Sequence, residues 1–273
     1  MKKVIECQHA FVLVSFCLAA VLLSCSPKVT KVPIPETSVS LGISQINEEV
    51  HKRAFLLRQG VMEGKGSLLY PDGHKQKVRF LIHWSFENEL PKVRAVGLGP
   101  FGITLFEFLA VDGNAYFMVP SRNITYVASK KELAANKTAL VAARQFVQII
   151  NPWFQLEQIE KGSDTKNRIV ATYLIGSVEN AVMFDSATFM PLKLVGPDIE
   201  VFYGADALHL EDGNIFYPKD MKIRLNNSTL SLEIEIKKVR LNSEGLDEGL
   251  FDIARFVQFT IRPWHELFHE RSS

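Results

Sequence analysis

The chain alternates apolar and mainly polar side chains along Val78-Arg79-Phe80-Leu81-Ile82-His83-Trp84-Ser85-Phe86. A period of two is typical of a β-strand that has one buried face and one solvated face. This strand predicts a sheet whose apolar face has to be covered by other parts of the chain.

Further strands are expected on both sides of this one. Their predicted bounds are Lys92 to Leu98, Ile103 to Val111, Ala115 to Val119, Arg168 to Ile175, Ala181 to Phe184, Leu192 to Val195 and Ile199 to Tyr203. A closing hairpin is indicated by the alternation from Leu230 to Ile236, which follows the turn residues Asn226-Asn227-Ser228. Consecutive strands joined by short turns predict an antiparallel sheet.

Two amphipathic helices are predicted beside the strands. Apolar residues recur at intervals of three and four from Ile43 to Leu57, with charged residues such as Arg53 between them. A second apolar stripe runs from Leu140 to Phe154 and is bent or ended by Asn151-Pro152. So few helices cannot cover many half-apolar strands unless the sheet curls around them. We therefore expect a mainly β protein with α (α+β), built as a curved, incompletely closed antiparallel β-barrel.

Residues 1–24 have the features of an export signal, since Lys2 and Lys3 precede an apolar run from Ala10 to Leu23. This run is shorter than the roughly 20 residues of a membrane span. Leu22-Leu23-Ser24-Cys25 resembles a bacterial lipobox, which implies cleavage after residue 24 and diacylation of Cys25. An uncleaved anchor and an ordinary secretory signal are the alternatives.

The segment behind the cysteine, residues 25–40, contains three prolines and predicts an extended, lipidated tether. A mature chain that begins at Cys25 keeps no second cysteine, which excludes disulfides and cysteine-metal sites. Processing would remove two of the 31 basic and one of the 30 acidic residues and leave 29 of each. A net charge of zero argues against a nucleic-acid partner.

One predicted loop places a large apolar side chain in a tight turn. Gly99-Pro100-Phe101-Gly102 joins two predicted strands, and its glycines and proline favour a rigid connection. On a membrane-tethered protein an exposed Phe101 would be suited to contact lipid. The alternative is that Phe101 folds back over the sheet as a plug.

Taken together, these residues resemble the LolA/LolB superfamily of bacterial lipoprotein-sorting proteins, and within it the LolB-like outer-membrane receptors. The resemblance extends over residues 41–253. It rests on Arg94 to Val127, the helix from Ala139 to Phe154, the hairpin from Met221 to Val239 and the ending Leu246 to Asp252. It implies an open barrel with a helical lid that encloses an apolar cavity, followed here by an amphipathic tail at 254–273.

The resemblance also implies a function. The chain would be an outer-membrane lipoprotein facing the periplasm, a monomer without cofactor or catalytic residue. It would bind the acyl chains of lipoproteins delivered by a periplasmic LolA-like carrier and help to insert them into the membrane. The family's membrane-inserting leucine falls on Phe101. Our candidates for the cavity wall are residues at apolar positions of the predicted strands and helix: Phe80, Ile82, Trp84, Phe106, Phe108, Phe117 and Phe146. Such residues also build solid cores.

Two other functions are compatible with the sequence. An accessory envelope lipoprotein of the same fold would have a solid core and a protein-binding surface. A zinc hydrolase is suggested by His265-Glu266-Leu267-Phe268-His269, because two histidines one helical turn apart are a known zinc motif. The motif lies at the end of the chain and lacks an evident third ligand, so we expect no enzyme.

We predict that the mature protein begins with a diacylated Cys25. Intact-protein mass spectrometry after expression in a bacterium should show a chain lacking residues 1–24 and carrying lipid, because signal cleavage and acylation are coupled at a lipobox. A Cys25→Ser variant should keep the signal and gain no lipid. An unmodified wild-type N-terminus would contradict the lipobox assignment.

Overall fold

The computed structural model describes residues 43–69, 73–86, 91–128, 146–154, 156, 158–161, 168–175, 178–196, 199–210, 215–225, 231–241, 248–263 and 266. The predicted signal, Cys25 and the tether lie outside these residues. Helix α1 spans Ile43–Leu56, and residues 146–150 form a second helical segment. The strands are β1 (Gln59–Leu69), β2 (Lys75–Ser85), β3 (Lys92–Leu98), β4 (Thr104–Val111), β5 (Asn114–Val119), β6 (Ile124–Ala128), β7 (Gln158–Lys161), β8 (Arg168–Ile175), β9 (Val178–Asp185), β10 (Pro191–Val195), β11 (Ile199–Tyr203), β12 (Ala207–Leu210), β13 (Ile215–Pro218), β14 (Asp220–Leu225), β15 (Ser231–Leu241) and β16 (Thr260–Pro263).

Fourteen of these strands form one sheet in the order β16-β6-β5-β4-β3-β2-β1-β15-β14-β11-β10-β9-β8-β7, and β12 and β13 form a separate hairpin. Neighbouring strands pair antiparallel except for β16 and β6, which are parallel. The sheet begins at β16 and ends at β7, so it does not close on itself. The expected mainly β fold with a large, curved and unclosed sheet is confirmed.

One face of the sheet carries the main apolar core. From β2 it takes Val78, Phe80, Ile82 and Trp84, which is the apolar phase that the alternation predicts. Helix α1 covers part of this face with Ile46 and Val50, both 2% exposed. Trp84 is fully buried, and its indole Nε1 donates a hydrogen bond to the Leu57 carbonyl at 2.7 Å. The end of α1 is thereby fixed to the sheet.

Aromatic rings on this face lie close over glycines of neighbouring strands. A Cβ atom at Gly60 would lie 2.6 Å from the Trp84 ring, and one at Gly66 would lie 2.5 Å from the Phe80 ring. Real Cβ atoms do not approach so closely, so any larger residue at these positions would displace the rings. Glycine here is required by close packing, a role it commonly has inside strands.

The opposite face of β4 and β5 carries a second, smaller core. Its buried members there are Leu109, Val111, Tyr116 and Met118, and they are covered by Phe251 and Phe256. These two phenylalanines belong to residues 248–263, which we call the C-terminal strap. The Thr125 hydroxyl donates to the Phe256 carbonyl at 2.8 Å, and β16 then joins the sheet beside β6. The strap thus runs past residue 253, the predicted end of the domain.

A buried ion pair connects the strap to the sheet. Glu107 of β4 has a fully buried side chain, and Arg94 of β3 donates to its Oε1 at 2.7 Å. The same guanidinium donates through Nη1 to the Leu250 carbonyl at 3.1 Å. Arg255 of the strap lies 3.4 Å from the other carboxylate oxygen of Glu107. One buried carboxylate therefore organises contacts from β3, β4 and the strap.

We predict that Glu107→Ala lowers the free energy of unfolding by about 3–5 kcal/mol, because it leaves the guanidinium of Arg94 without its buried partner. Urea denaturation followed by circular dichroism measures the loss. Arg255→Ala is the matched control, since this side chain is 53% exposed and should contribute less than about 1 kcal/mol. Equal effects of both variants would contradict the central role of the buried carboxylate.

Candidate functional site

The connection between β3 and β4 is short and tightly closed. The amide of Gly99 donates to the Ile103 carbonyl at 2.8 Å, and the amide of Ile103 donates to the Pro100 carbonyl at 3.3 Å. Gly102, with φ 76°, is in the left-handed region that glycine adopts readily. The two ends of the loop are therefore joined by backbone hydrogen bonds, as expected for a rigid turn.

Phe101 projects from this turn into solvent. Its side chain is 102% exposed relative to the reference state, and Ile103 is 63% exposed. We call these two residues the apolar tip. Of the two alternatives, the structure shows the exposed one, and Phe101 does not plug the sheet.

The backbone of Phe101 is also strained. Its φ of 59° and ψ of 16° are left-handed, which costs a residue with a Cβ atom about 1–2 kcal/mol. Packing of the phenyl ring does not offset this cost, since the ring is exposed. A strained, unpacked phenylalanine contributes nothing to stability, and such outliers are concentrated at functional sites.

A cavity of about 870 Å³ lies beside the apolar tip. Its lining comes from β1, β2, β3, β11, β14 and β15, together with Gly99 and Pro100 of the tip loop. In the sheet, four strands separate β3 from β11. Residues of both strands can line one cavity only if the sheet curls around it. The volume falls in the range of about 300–1,000 Å³ that is usual for small-molecule sites.

A single row of cross-strand neighbours forms the apolar part of this lining. The row crosses five adjacent strands through Val78, Gly66, Ile234, Met221 and Tyr203. All five lie on the same face as the main core, because Val78 and Met221 belong to that core. The residues that precede and follow them along each strand, such as Lys77 and Arg79 beside Val78, also line the cavity and point to the opposite face of the sheet.

Charged residues alternate with this row along the same strands, so their side chains point to the other face. Among the lining residues are Lys65, Lys77, Arg79, Asp220, Lys222, Glu233 and Glu235. The Lys222 ammonium donates to Glu233 at 2.7 Å, and this hydrogen bond lowers the pKa of Glu233. A hydrogen bond from Lys237 likewise lowers the pKa of Glu235. Both carboxylates are held ionised in ion pairs, unlike a pair in which one carboxyl must keep its proton for acid catalysis.

The seven residues predicted for the cavity wall lie outside the lining of this cavity. Phe106 stacks on Phe117 at 5.8 Å between ring centroids, and Phe108 contacts the ring of Phe146 at 5.6 Å. Phe80, Ile82 and Trp84 are 9%, 7% and 0% exposed. All seven belong to the packed apolar layer, and the lining of the 870 Å³ cavity includes none of them. Their contact with an acyl chain stays a prediction.

Sequence reasoning missed a buried cation under α1. Arg53, expected among the polar positions, is 6% exposed and packs between the rings of Trp153 and Phe189, at 5.7 and 5.4 Å from their centroids. Its Nε donates to Glu49 at 3.0 Å. Burial lowers the pKa of Arg53, and the charge of Glu49 opposes this shift. The spacing of Glu49 and Arg53 was the available signal, but it is equally typical of an exposed helix face.

Motifs of other functional classes receive no geometric support from the described ranges. Within them, no three His, Cys, Asp or Glu side chains form a group that could hold a metal ion. Of the possible zinc motif, Glu266 is described, whereas His265 and His269 lie outside the described residues. Among the helices that are described, none is both long and apolar enough to cross a bilayer.

Comparison with known proteins relates the fold to solved structures. No protein-family model matches the sequence, and a search of curated proteins gives no match. A DUF1329 family protein from Desulfovibrio piger ATCC 29098 superposes with a TM-score of 0.52 at 10% identity, over 78% of this chain and 98% of that one. At this identity the likeness shows a shared fold.

Two further similar structures have related names. A domain from Vibrio parahaemolyticus, described as an outer membrane lipoprotein-sorting protein, gives a TM-score of 0.49 at 13% identity over 78% of this chain and 97% of that one. A LolA superfamily protein from Nitrosomonas europaea gives 0.49 at 11% identity over 78% and 98%.

We predict that Phe101→Asn leaves the free energy of unfolding unchanged or raises it by up to about 1 kcal/mol. Asparagine tolerates the left-handed conformation better than phenylalanine, and no buried contact is lost. Thermal and urea unfolding provide the measurement. Phe184→Ala is the control, because a fully buried phenylalanine should cost about 3–5 kcal/mol. A large loss in Phe101→Asn would show that the ring packs in solution.

Proposed function

We propose that this protein is a lipid-anchored lipoprotein receptor of the bacterial envelope. In this proposal its concave face takes up the acyl chains of a lipoprotein, and its apolar tip delivers them to the outer membrane. Cys25 supplies the anchor and residues 25–40 the tether. The helical lid over the cavity, the position facing the periplasm, the monomeric state and a LolA-like carrier as donor belong to the same proposal.

The observation that carries the proposal is the continuity between the cavity and the apolar tip. Gly99 and Pro100 line the cavity, and the next residue, Phe101, is fully exposed. Apolar surface that is exposed on one loop is a mark of a lipid or partner contact. A cavity that adjoins such a loop suits a ligand that has to leave one apolar environment and enter another.

Energetics make this transfer feasible without a catalytic group. Burial of each methylene of an acyl chain contributes about 0.8 kcal/mol, so an apolar cavity holds a chain that water rejects. The bilayer offers the same contribution over the full length of the chain. Release therefore needs only that the bilayer bind the chain better than the cavity does, and a tip inserted in the bilayer brings the two environments into contact.

The charges around the apolar row are compatible with this function. An acyl chain needs apolar walls, whereas the protein part of a lipoprotein is polar and stays in water. Val78, Ile234 and Met221 belong to an apolar face, and ion pairs such as Lys222 with Glu233 keep the other face of the same strands polar. The same strands thus offer both environments on opposite faces.

We predict that Phe101→Glu separates uptake from delivery. The variant should bind a fluorescent fatty acid with the same affinity as wild type, because Phe101 does not line the cavity. Transfer of a purified acylated lipoprotein to vesicles of bacterial outer-membrane lipids should fall at least about tenfold, since a charged tip does not enter the bilayer.

Phe55→Glu is the matched control, since Phe55 is 59% exposed on α1, away from the tip loop, and should transfer normally. Unchanged delivery by Phe101→Glu would contradict the role of the tip. If the wild-type protein takes up no fatty acid, the proposal that it binds acyl chains is wrong. The alternative function, an accessory envelope lipoprotein with a solid core, would then take its place.

A further inference from the structure

We infer that Lys65, Lys77 and Arg79 form a site for the phosphate groups of anionic membrane lipids, next to the apolar tip. We call these three residues the basic cluster. The inference rests on the function proposed above and deepens it, because it names the kind of lipid that the tip meets. All three side chains line the cavity and are exposed. They point away from the main core, since they alternate with Val78 and its partner Gly66 along β2 and β1.

The basic cluster lies at the end of the sheet from which the tip projects. Arg79 is the cross-strand partner of Leu98, the last residue of β3, and the Cβ atoms of such partners are about 5 Å apart. Lys77 lies two residues closer to the start of β2, about 7 Å past the end of β3 and beside the tip loop. Both cations line the same cavity as Pro100, which directly precedes Phe101. A tip inserted in a bilayer would therefore bring the cluster to the level of the lipid headgroups.

Two members of the cluster repel each other. Lys65 and Arg79 are directly opposite on β1 and β2, and like charges in such a pair are destabilising. The other cross-strand partner of Arg79 is Leu98, and the partner of Lys77 is Ser67. Neither cation of β2 therefore has a carboxylate opposite it, and an anion bound between the cations would relieve the repulsion.

The carboxylates that line the cavity do not neutralise this cluster. Glu233 accepts a hydrogen bond from Lys222 at 2.7 Å, and Glu235 pairs with Lys237. Both lie on β15, two strands or about 10 Å from β2, and Asp220 lies one strand farther away. These separations exceed the Debye length of about 8 Å at physiological salt. Among the described residues, no carboxylate forms an ion pair with either cluster member on β2.

A local cluster matters because the chain as a whole would not be drawn to an anionic bilayer. The predicted mature chain carries equal numbers of basic and acidic residues. Each Lys or Arg close to an anionic membrane strengthens binding roughly fivefold, and this attraction decays within a Debye length. Cations beside the inserted tip are within that distance of the headgroups.

Binding to vesicles tests the inference. The protein is the mature chain with Cys25→Ser, so that no acyl anchor contributes. It is sedimented with vesicles of phosphatidylcholine, or with vesicles in which about a third of the lipid is phosphatidylglycerol. The readout is the ratio of the partition coefficients for anionic and neutral vesicles. We expect Lys77→Gln combined with Arg79→Gln to lower this ratio at least about tenfold, with an unchanged circular dichroism spectrum because both side chains are exposed.

A matched control removes the same charge elsewhere. Lys52 on α1 and Arg240, which pairs with Val61 toward the other end of β1, are 58% and 53% exposed. Lys52→Gln combined with Arg240→Gln should leave the ratio unchanged. A second variant, Lys77→Arg combined with Arg79→Lys, keeps both charges and should also keep the ratio.

Three outcomes would overturn the inference. The first is equal binding to both kinds of vesicle before any cluster substitution, and the second is an equal fall of the ratio in the cluster variant and in the matched control. The third is release from anionic vesicles by millimolar inorganic phosphate at constant ionic strength, which would indicate a site for a soluble anion.

The same assay separates this inference from the proposed function. Phe101→Asn should weaken binding to both kinds of vesicle and leave their ratio unchanged, because the ring contributes apolar contact and no charge. If Phe101→Asn binds both kinds as before, the membrane contact of the tip in the proposed function is wrong. The ratio in the cluster variant alone decides whether the basic cluster binds lipid phosphates.

Discussion

The contact between aromatic rings and bare glycine backbone is the constraint on which the concave face depends. Trp84 lies against Gly60, Phe80 against Gly64 and Gly66, and Phe106 against Gly97. Strands in a sheet are only about 4.8 Å apart, so a ring can lie over its neighbour only where no side chain rises from it. The face stays apolar, and α1 and residues 146–154 pack against it.

Around β4 and β5 the other face of the sheet is also apolar and also covered, so the sheet is packed on both sides there. Leu109 and Met118 are fully buried there under the C-terminal strap, and the carboxylate of Glu107 holds the strap through Arg94. A strand packed on both faces has little freedom to move. Because the tip loop leads directly into β4, Phe101 projects from the best supported part of the sheet.

Local pattern was enough to predict most of the strands. β3, β8 and β11 begin and end at the predicted residues, since alternation and turn residues are local properties. The parallel strand β16 was not predicted, because its partner β6 lies more than 130 residues earlier in the chain. No local pattern within residues 260–263 indicates that they pair with β6. A segment of two exposed and two half-buried residues is equally typical of an amphipathic tail.

The candidate site shows the same division between local and long-range information. Glycine and proline around Phe101 predicted a tight turn, but the left-handed φ that exposes the ring depends on how β3 and β4 are paired. The aromatic phase of β2 was recognised from its period. The row that joins Val78, Ile234 and Met221 depends on register across strands, which is set by turns and by a bulge near Glu63. Sequence alone therefore identified apolar faces without showing how the strands join them.

Strain at the tip has a physical explanation under the proposed function. An acyl chain that crossed water between cavity and bilayer would lose about 0.8 kcal/mol for each exposed methylene, so the barrier to transfer grows with the length of the gap. A loop that adjoins the cavity lining at Pro100 and exposes its apolar residue at the next position keeps this gap short. A relaxed loop could fold Phe101 back onto the sheet and lengthen the gap again. The left-handed backbone, closed by the bond from Gly99 to Ile103, prevents this at a cost of about 1–2 kcal/mol, less than the exposure of three methylenes would add to the barrier.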